Sequence, residues 1–228
     1  MVAWPTFRRA GPIAIDFGTR SVKLVQMNGD RTRIVESVLQ ELPGEPPTDT
    51  ESLCQAWTQA LIEAREGRKF TGRDAIVCLG ARELAIQNVR VTKPPTGELE
   101  PVILRELGDR FAYPIPESEL RFLEAADVRQ GDSIRREVIV IGCHRPQLDR
   151  FLKVLDDAGL KPVAVEAEPQ ALLRCYAAQY RRDEDREQRS IVVHVGNTST
   201  AVIIAQGDEI LFIKYIELGG RHFDEAVA

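Results

Sequence analysis

The sequence predicts an α/β protein in which a three-stranded antiparallel meander occurs twice, with helices and an inserted α+β module between the copies. Three observations lead there. First, residues 13–30 align with residues 191–208 without a gap, at a constant offset of 178. Ile13 meets Ile191, Gly18 meets Gly196, Ser21 meets Ser199, and Gly29-Asp30 meets Gly207-Asp208. Second, helical periodicity fills the sequence between the copies. Third, the texture changes after Pro94-Pro95 and reverts near Val163, which marks an insertion.

Each copy reads as an apolar strand, a Gly turn with small hydroxyl residues, a second apolar strand, and a Gly-Asp turn. A third strand follows, over 33–39 in the first copy and 209–216 in the second. Thr48 with Glu51 makes a capping box for a helix whose inner face is Leu53, Trp57, Leu61 and Ala64, with Gly67 as a stop. Strands are expected over 75–79 and 84–91. Leu99, Ile103, Leu107 and Phe111 mark a second helix, closed by Tyr113-Pro114-Ile115-Pro116. Strands over 120–126 and 137–142 flank a charged hairpin loop, Arg129 to Arg136. Pro146 opens a third helix with Leu148, Phe151, Leu152 and Leu155 inward and Gly159 as its C-terminal stop. A strand over 163–166 returns the chain to the first half. A fourth helix starts at Pro169, and Arg181–Arg189 reads as a solvated helix end and linker. The expected organisation is a first subdomain of residues 12–91 plus 163–188, an inserted module of residues 92–162, and the start of a second subdomain, 189–228.

The 228 residues are 43% apolar and 29% charged, with 30 basic against 35 acidic side chains for a net charge of −5. That apolar fraction is too high, and the charge too small, for a disordered chain. No apolar run reaches the roughly 18 residues of a membrane span. Met1–Gly11 carries Arg8 and Arg9 but no apolar core of a signal peptide. Cys54, Cys78, Cys143 and Cys175 form no CxxC pair, and the three histidines are scattered, so reduced thiols in the cytoplasm are expected. The acidic balance argues against a nucleic-acid binder.

Chemistry is concentrated in the Gly turns. A Gly-centred turn between strands offers successive backbone N–H groups to phosphate oxygens. An acidic residue just before it suits Mg²⁺, which prefers oxygen ligands and usually keeps its water. Asp16-Phe-Gly-Thr-Arg-Ser21 has this form. A lone triplet of this kind is commonly an ordinary hairpin; its duplication at fixed spacing is what argues for function.

The turn IDFGTRSVKLVQ resembles the first phosphate loop of the actin-like ATPase superfamily, which has a duplicated ribonuclease-H-like fold. VHVGNTSTAVII is similar to the second loop, and LGGRHFDEAV (218–227) to the Gly-Gly segment after it. Glu168-Pro169-Gln170-Ala171 resembles the E-P-x-A element between the halves. The inserted module lies where the division protein FtsA and the pilus protein PilM carry theirs. SVKLVQ, Tyr-Pro-Ile-Pro and the Ala-Gly-Leu helix end are closer to the PilM family. The resemblance covers residues 12–228. It implies ATP with Mg²⁺ as cofactors in the intact protein. Asp16 matches the carboxylate associated with Mg²⁺, acting through water. Gly18, Thr19 and Ser21 match the first cradle, and Gly196, Asn197 and Thr198 the second. Lys23 follows the pattern of the PilM turn as a further binding candidate; the alternative is a side chain that simply faces solvent. Glu168 matches the Glu that orients the attacking water; the alternative is a favourable N-terminal helix charge.

One departure stands out. Active members begin the second loop with Asp, where this chain has His194. Imidazole adds no negative charge and is a poor Mg²⁺ ligand, so a weak or absent ATPase is expected. The resemblance implies a cytoplasmic scaffold of a type IV pilus or related secretion platform, peripheral to the inner membrane through a partner. That partner is the N-terminal cytoplasmic tail of a PilN-type membrane protein, held between the actin-like half and the insert, with self-association also open. The alternatives are an active ATPase or phosphotransferase of the superfamily, or an FtsA-like division protein. No nucleic acid and no direct membrane insertion are expected. The second copy stops at Phe223–Ala228 without a Gly-rich adenosine segment, so the second half is expected to be truncated and no nucleotide to be held in this form.

Overall fold

The computed structural model describes residues 10–44, 47, 49–92, 98–130 and 133–227. The elements run β1 (Ala10–Phe17), β2 (Ser21–Asn28), β3 (Ile34–Glu41), α1 (Thr50–Arg65), β4 (Asp74–Leu79) and β5 (Leu84–Val91). Then come α2 (Glu100–Leu107), a 3-10 turn at Ile115–Glu117, β6 (Ser118–Gln130), β7 (Ser133–His144) and α3 (Arg145–Asp157). The chain continues through β8 (Lys161–Ala167), α4 (Glu168–Ala177), α5 (Asp183–Glu187), β9 (Arg189–Val195), β10 (Thr200–Gln206), β11 (Glu209–Ile216) and α6 (Gly220–Val227). Two compact units result: residues up to Leu79 with Asp149–Glu166, and Gly80–Leu148 with the segment from Ala167 onward.

The first unit is a five-stranded sheet in the order β3-β2-β1-β4-β8. β1 to β3 form the antiparallel meander, and β4 adds in parallel to β1 after the α1 crossover. Ile13 and Ile15 of β1, Val22 and Leu24 of β2, and Val77 and Leu79 of β4 are buried. Against them lies the apolar stripe of α1, whose Leu53, Trp57, Leu61 and Ala64 are buried as their spacing predicts. Asp49 caps α1 by accepting the Ser52 N–H at 2.8 Å; the expected capping residue Thr48 lies outside the described residues, as does Pro94-Pro95. Gly159 ends α3 with φ +73°, while the Leu160 N–H reaches back to Leu155 O at 2.8 Å.

One buried polar residue belongs to this core. Gln26 is fully buried; its amide donates to Gly11 O (2.8 Å) and Thr71 O (2.7 Å) and accepts from the Thr71 N–H (2.9 Å). Its side chain ties the segment after α1 to the meander.

The second unit holds two three-stranded sheets, β5-β7-β6 and β11-β10-β9. β7 reads Val138-Ile-Val-Ile141 because both of its faces are covered. Val138 and Val140 pack with Val89, Ile103, Leu107 and Phe111. Ile139 and Ile141 pack with Leu173 of α4 and Ile203 and Ile213 of the second meander.

Two expectations change here. β5, placed by sequence with the first subdomain, pairs with β7 along its whole length, from Leu84↔Cys143 to Val91↔Arg136. Its alternation identifies a strand but carries nothing about the partner. The charged stretch Arg129–Arg136 is largely strand rather than loop, since β6 runs to Gln130 and β7 starts at Ser133. Cross-strand pairing explains this. Arg136 reaches Asp127 Oδ1 at 2.6 Å and Glu124 Oε2 at 2.9 Å, so charges on the exposed face support the ladder.

Candidate phosphate-binding turns

The two Gly turns share one local geometry. Gly18 donates its N–H to Ser21 O at 2.9 Å, and Gly196 donates to Ser199 O at 2.9 Å, 178 residues later. A Cβ on Gly18 would lie 2.8 Å from Ser21 O, and one on Gly196 would lie 2.9 Å from Ser199 O. Closing either turn therefore requires glycine. Thr19 follows Gly18 in the first turn, and Asn197 and Thr198 follow Gly196 in the second.

In the first turn, Asp16 and Lys23 are cross-strand partners in the β1–β2 register, and Lys23 Nζ meets Asp16 Oδ2 at 2.7 Å. Both side chains are about half exposed, at 47% for Lys23 and 53% for Asp16, so the pair is open to exchange with an incoming cation or phosphate. Behind the turn, Trp57 donates its indole N–H to Gly18 O at 2.9 Å. Its ring lies 5.1 Å from both Phe17 and Phe151.

The second turn is backed by the Gly-Gly segment. Gly220 N–H donates to Gly196 O at 2.8 Å, and Arg221 N–H to Asn197 O at 2.9 Å. A Cβ on Gly219 would come within 2.6 Å of Gly196 O, so this contact needs glycine as well. Thr200 Oγ1 donates to Leu218 O at 2.6 Å and fixes the approach of that segment.

His194 stands on β9 at the offset position of Asp16, and its register partner Ala201 stands at that of Lys23. The charged pair of the first copy is thus absent from the second. His194 Nε2 lies 3.6 Å from Glu168 Oε1 instead. Glu168, the first residue of α4, also accepts the Tyr215 hydroxyl at 2.9 Å. Glu83 lies nearby in sequence to Gly80, whose N–H it accepts at 3.0 Å, and burial pushes its carboxyl up to about 7.

Separately, α1 and α3 border an open groove of about 480 Å³ in the first unit. Cys54, Gln55 and Thr58 line one side, and Arg150, Val154 and Asp157 the other. Among the described residues, no group of three or more His, Cys, Asp or Glu side chains is arranged to hold a metal ion. No described helix is long and apolar enough to cross a membrane.

A profile of the type IV pilus assembly protein PilM matches residues 14–228. The chain belongs to that family. A sequence comparison with curated proteins finds no match. Among solved structures, the chain resembles a PilM-PilN type IV pilus biogenesis complex with TM-score 0.78 and 24% identity, over 96% of this chain and 65% of that one. It also resembles the cytoplasmic domain of EpsL, an inner-membrane component of the type II secretion system of Vibrio cholerae, with TM-score 0.56 and 14% identity, over 90% and 70% of the two chains. The ethanolamine utilization protein EutJ from Carboxydothermus hydrogenoformans matches with TM-score 0.51 and 13% identity, over 95% and 55%. The fold is therefore actin-like, and the chain spans about 65% of the PilM-PilN chain it matches.

Sequence reasoning named Asp16, Gly18, Thr19, Ser21, Lys23, Gly196, Asn197, Thr198 and Glu168. The structure joins Asp16 to Lys23 beside the Gly18 turn, and Glu168 to His194 and Tyr215. Three residues brought out by these contacts and by burial had not been read as candidates. Trp57 read only as a core residue on a helical face, Tyr215 as a strand residue, and Glu83 as an unremarkable charge.

Proposed function

We propose that the protein is a cytoplasmic scaffold of a type IV pilus assembly platform that binds the N-terminal cytoplasmic tail of a PilN-type inner-membrane protein. In this reading, nucleotide is a structural or switching ligand with little or no hydrolysis. The observation that carries it is the PilM family match over residues 14–228, in a fold like that of a PilM-PilN complex.

The first turn fits phosphates. It has a glycine that no other residue replaces, small hydroxyl neighbours and an exposed carboxylate–ammonium pair. Asp16 would hold Mg²⁺ through water, with Gly18, Thr19, Ser21 and Lys23 on phosphate oxygens. In the second turn, Gly196, Asn197 and Thr198 would meet phosphate oxygens in the same way. Bound Mg²⁺ would offset phosphate charge. The fit for hydrolysis is poor. At the position where the family resemblance expects a second carboxylate the second turn carries His194, and Glu168 is engaged by Tyr215. A phosphate-release assay with Mg–ATP tests this: turnover below about 10⁻² s⁻¹ is expected, and a rate near 1 s⁻¹ that disappears in Asp16→Ala would favour the ATPase alternative.

We place the PilN-type tail in the groove between α1 and α3. The family resemblance puts the tail between the actin-like half and the insert without naming a groove. α1 belongs to that half, and α3 leads directly out of strand β7. The residues lining their groove all lie in the first unit. Gln55 is exposed on its α1 wall. Gln55→Trp is expected to abolish capture of the tail peptide without lowering the melting temperature, and undiminished capture would move the tail elsewhere.

A further inference from the structure

We infer that Trp57 is a positioning residue for the first phosphate turn, setting the direction of its backbone rather than serving only as core. The inference rests on the reading of that turn as a phosphate site.

An anion-binding turn works only if its N–H groups, not its carbonyls, face the ligand. Within one trans peptide, the C=O and the N–H point to opposite sides of the chain. Among the described residues there is no cis peptide bond. Capturing a carbonyl on one side therefore turns the next N–H to the other. Trp57 Nε1–H holds the Gly18 carbonyl at 2.9 Å, which directs the Thr19 N–H away from the indole. The Leu42 N–H holds the Arg20 carbonyl at 2.8 Å in the same way.

The second copy supports this independently. There the carbonyl at the equivalent position, Gly196, is captured by the Gly220 N–H at 2.8 Å, and Asn197 O by the Arg221 N–H at 2.9 Å. Both turns thus have the same carbonyl tied down by a donor from outside the repeat, with different donors. In the first copy that donor is a side chain. Its orientation is fixed by the ring contacts with Phe17 and Phe151, and it is only 3% exposed. Packing alone would be served equally well by another large aromatic residue. The N–H is what the turn requires.

The test compares wild type with Trp57→Phe and with a variant carrying a benzothiophene side chain at residue 57, which keeps the ring shape and removes only the N–H. Magnesium tripolyphosphate is the probe, with phosphorus NMR line broadening to read weak binding and thermal melting as a packing control. Loss of one hydrogen bond predicts roughly three- to tenfold weaker binding in both variants. The benzothiophene variant should lose binding while its melting temperature stays within a few degrees of wild type. Equal binding in wild type and the benzothiophene variant would overturn the role of Trp57 while leaving the phosphate site in place. No binding by wild type at tens of millimolar probe would overturn the phosphate reading and this inference with it.

Discussion

Lys23 and Asp16 form a cross-strand ion pair at 2.7 Å beside the first Gly turn, and at the same offset the second copy has Ala201 and His194. The two turns share their backbone hydrogen bond but not the charges beside it. An exposed pair contributes little to stability because solvent screens it. Lys23→Ala is therefore expected to shift the melting temperature by no more than about 2 °C. The same change should weaken magnesium tripolyphosphate binding several-fold. Asp16→Ala should remove the Mg²⁺ dependence of that binding, and a Mg²⁺ response that survives in Asp16→Ala would place the metal elsewhere.

Gly219 packs against backbone, not against a flexible side chain. An added Cβ would meet Gly196 O at 2.6 Å and Asn197 C at 2.7 Å. Gly219→Ala must therefore displace the second turn or the segment that backs it, at a cost of about 2 kcal/mol. Chemical denaturation reads the loss. The same substitution at Gly72, which has φ +78° but no neighbour within 4 Å, should cost only its backbone strain, about 1 kcal/mol.

Gln26 satisfies two carbonyls and one N–H from Gly11 and Thr71 inside the sheet unit. Gln26→Leu keeps the volume and leaves all three groups without that partner. A loss of about 2–4 kcal/mol in unfolding free energy is expected. Gln26→Glu should be closer to wild type at low pH than at neutral pH, because only the protonated carboxyl supplies a donor.

Glu83 gives stability a pH dependence of definite sign. Burial raises its carboxyl from about 4.5 to about 7, opposed by the Gly80 N–H and by Arg82. The folded chain therefore holds a proton between those values that the unfolded chain releases. Its contribution is fully present below about pH 4.5 and is lost as the pH rises toward 7. Glu83→Gln should flatten this. Between pH 5 and 8 the wild type should lose on the order of 1–2 kcal/mol more than the variant, and equal slopes would show that Glu83 titrates normally.

Much of the fold was legible because its signals are periodic. The offset of 178 located both meanders, and the Leu53–Trp57–Leu61–Ala64 stripe located α1 with its buried face. Glycine was informative where the backbone needs it, at Gly18, Gly196 and Gly159. Pairing was not legible. Leu84–Val91 alternates as any half-buried strand does, and its partner β7 lies some fifty residues away. The candidate site residues divide along the same line. Asp16 and the glycines were readable from a contiguous motif, whereas Trp57 and Tyr215 act through contacts 39 and 47 residues distant. Nothing in a helical stripe distinguishes an indole that only fills space from one that also donates its N–H.

We propose above all that this chain is a docking scaffold of the PilM type. Isothermal titration of the protein with a synthetic N-terminal tail of the PilN-type partner tests it most directly. Saturable one-to-one binding is expected, with a dissociation constant at or below about 10 μM, corresponding to roughly 7 kcal/mol of binding free energy. A folded protein that shows no heat of binding at several hundred micromolar peptide would contradict it.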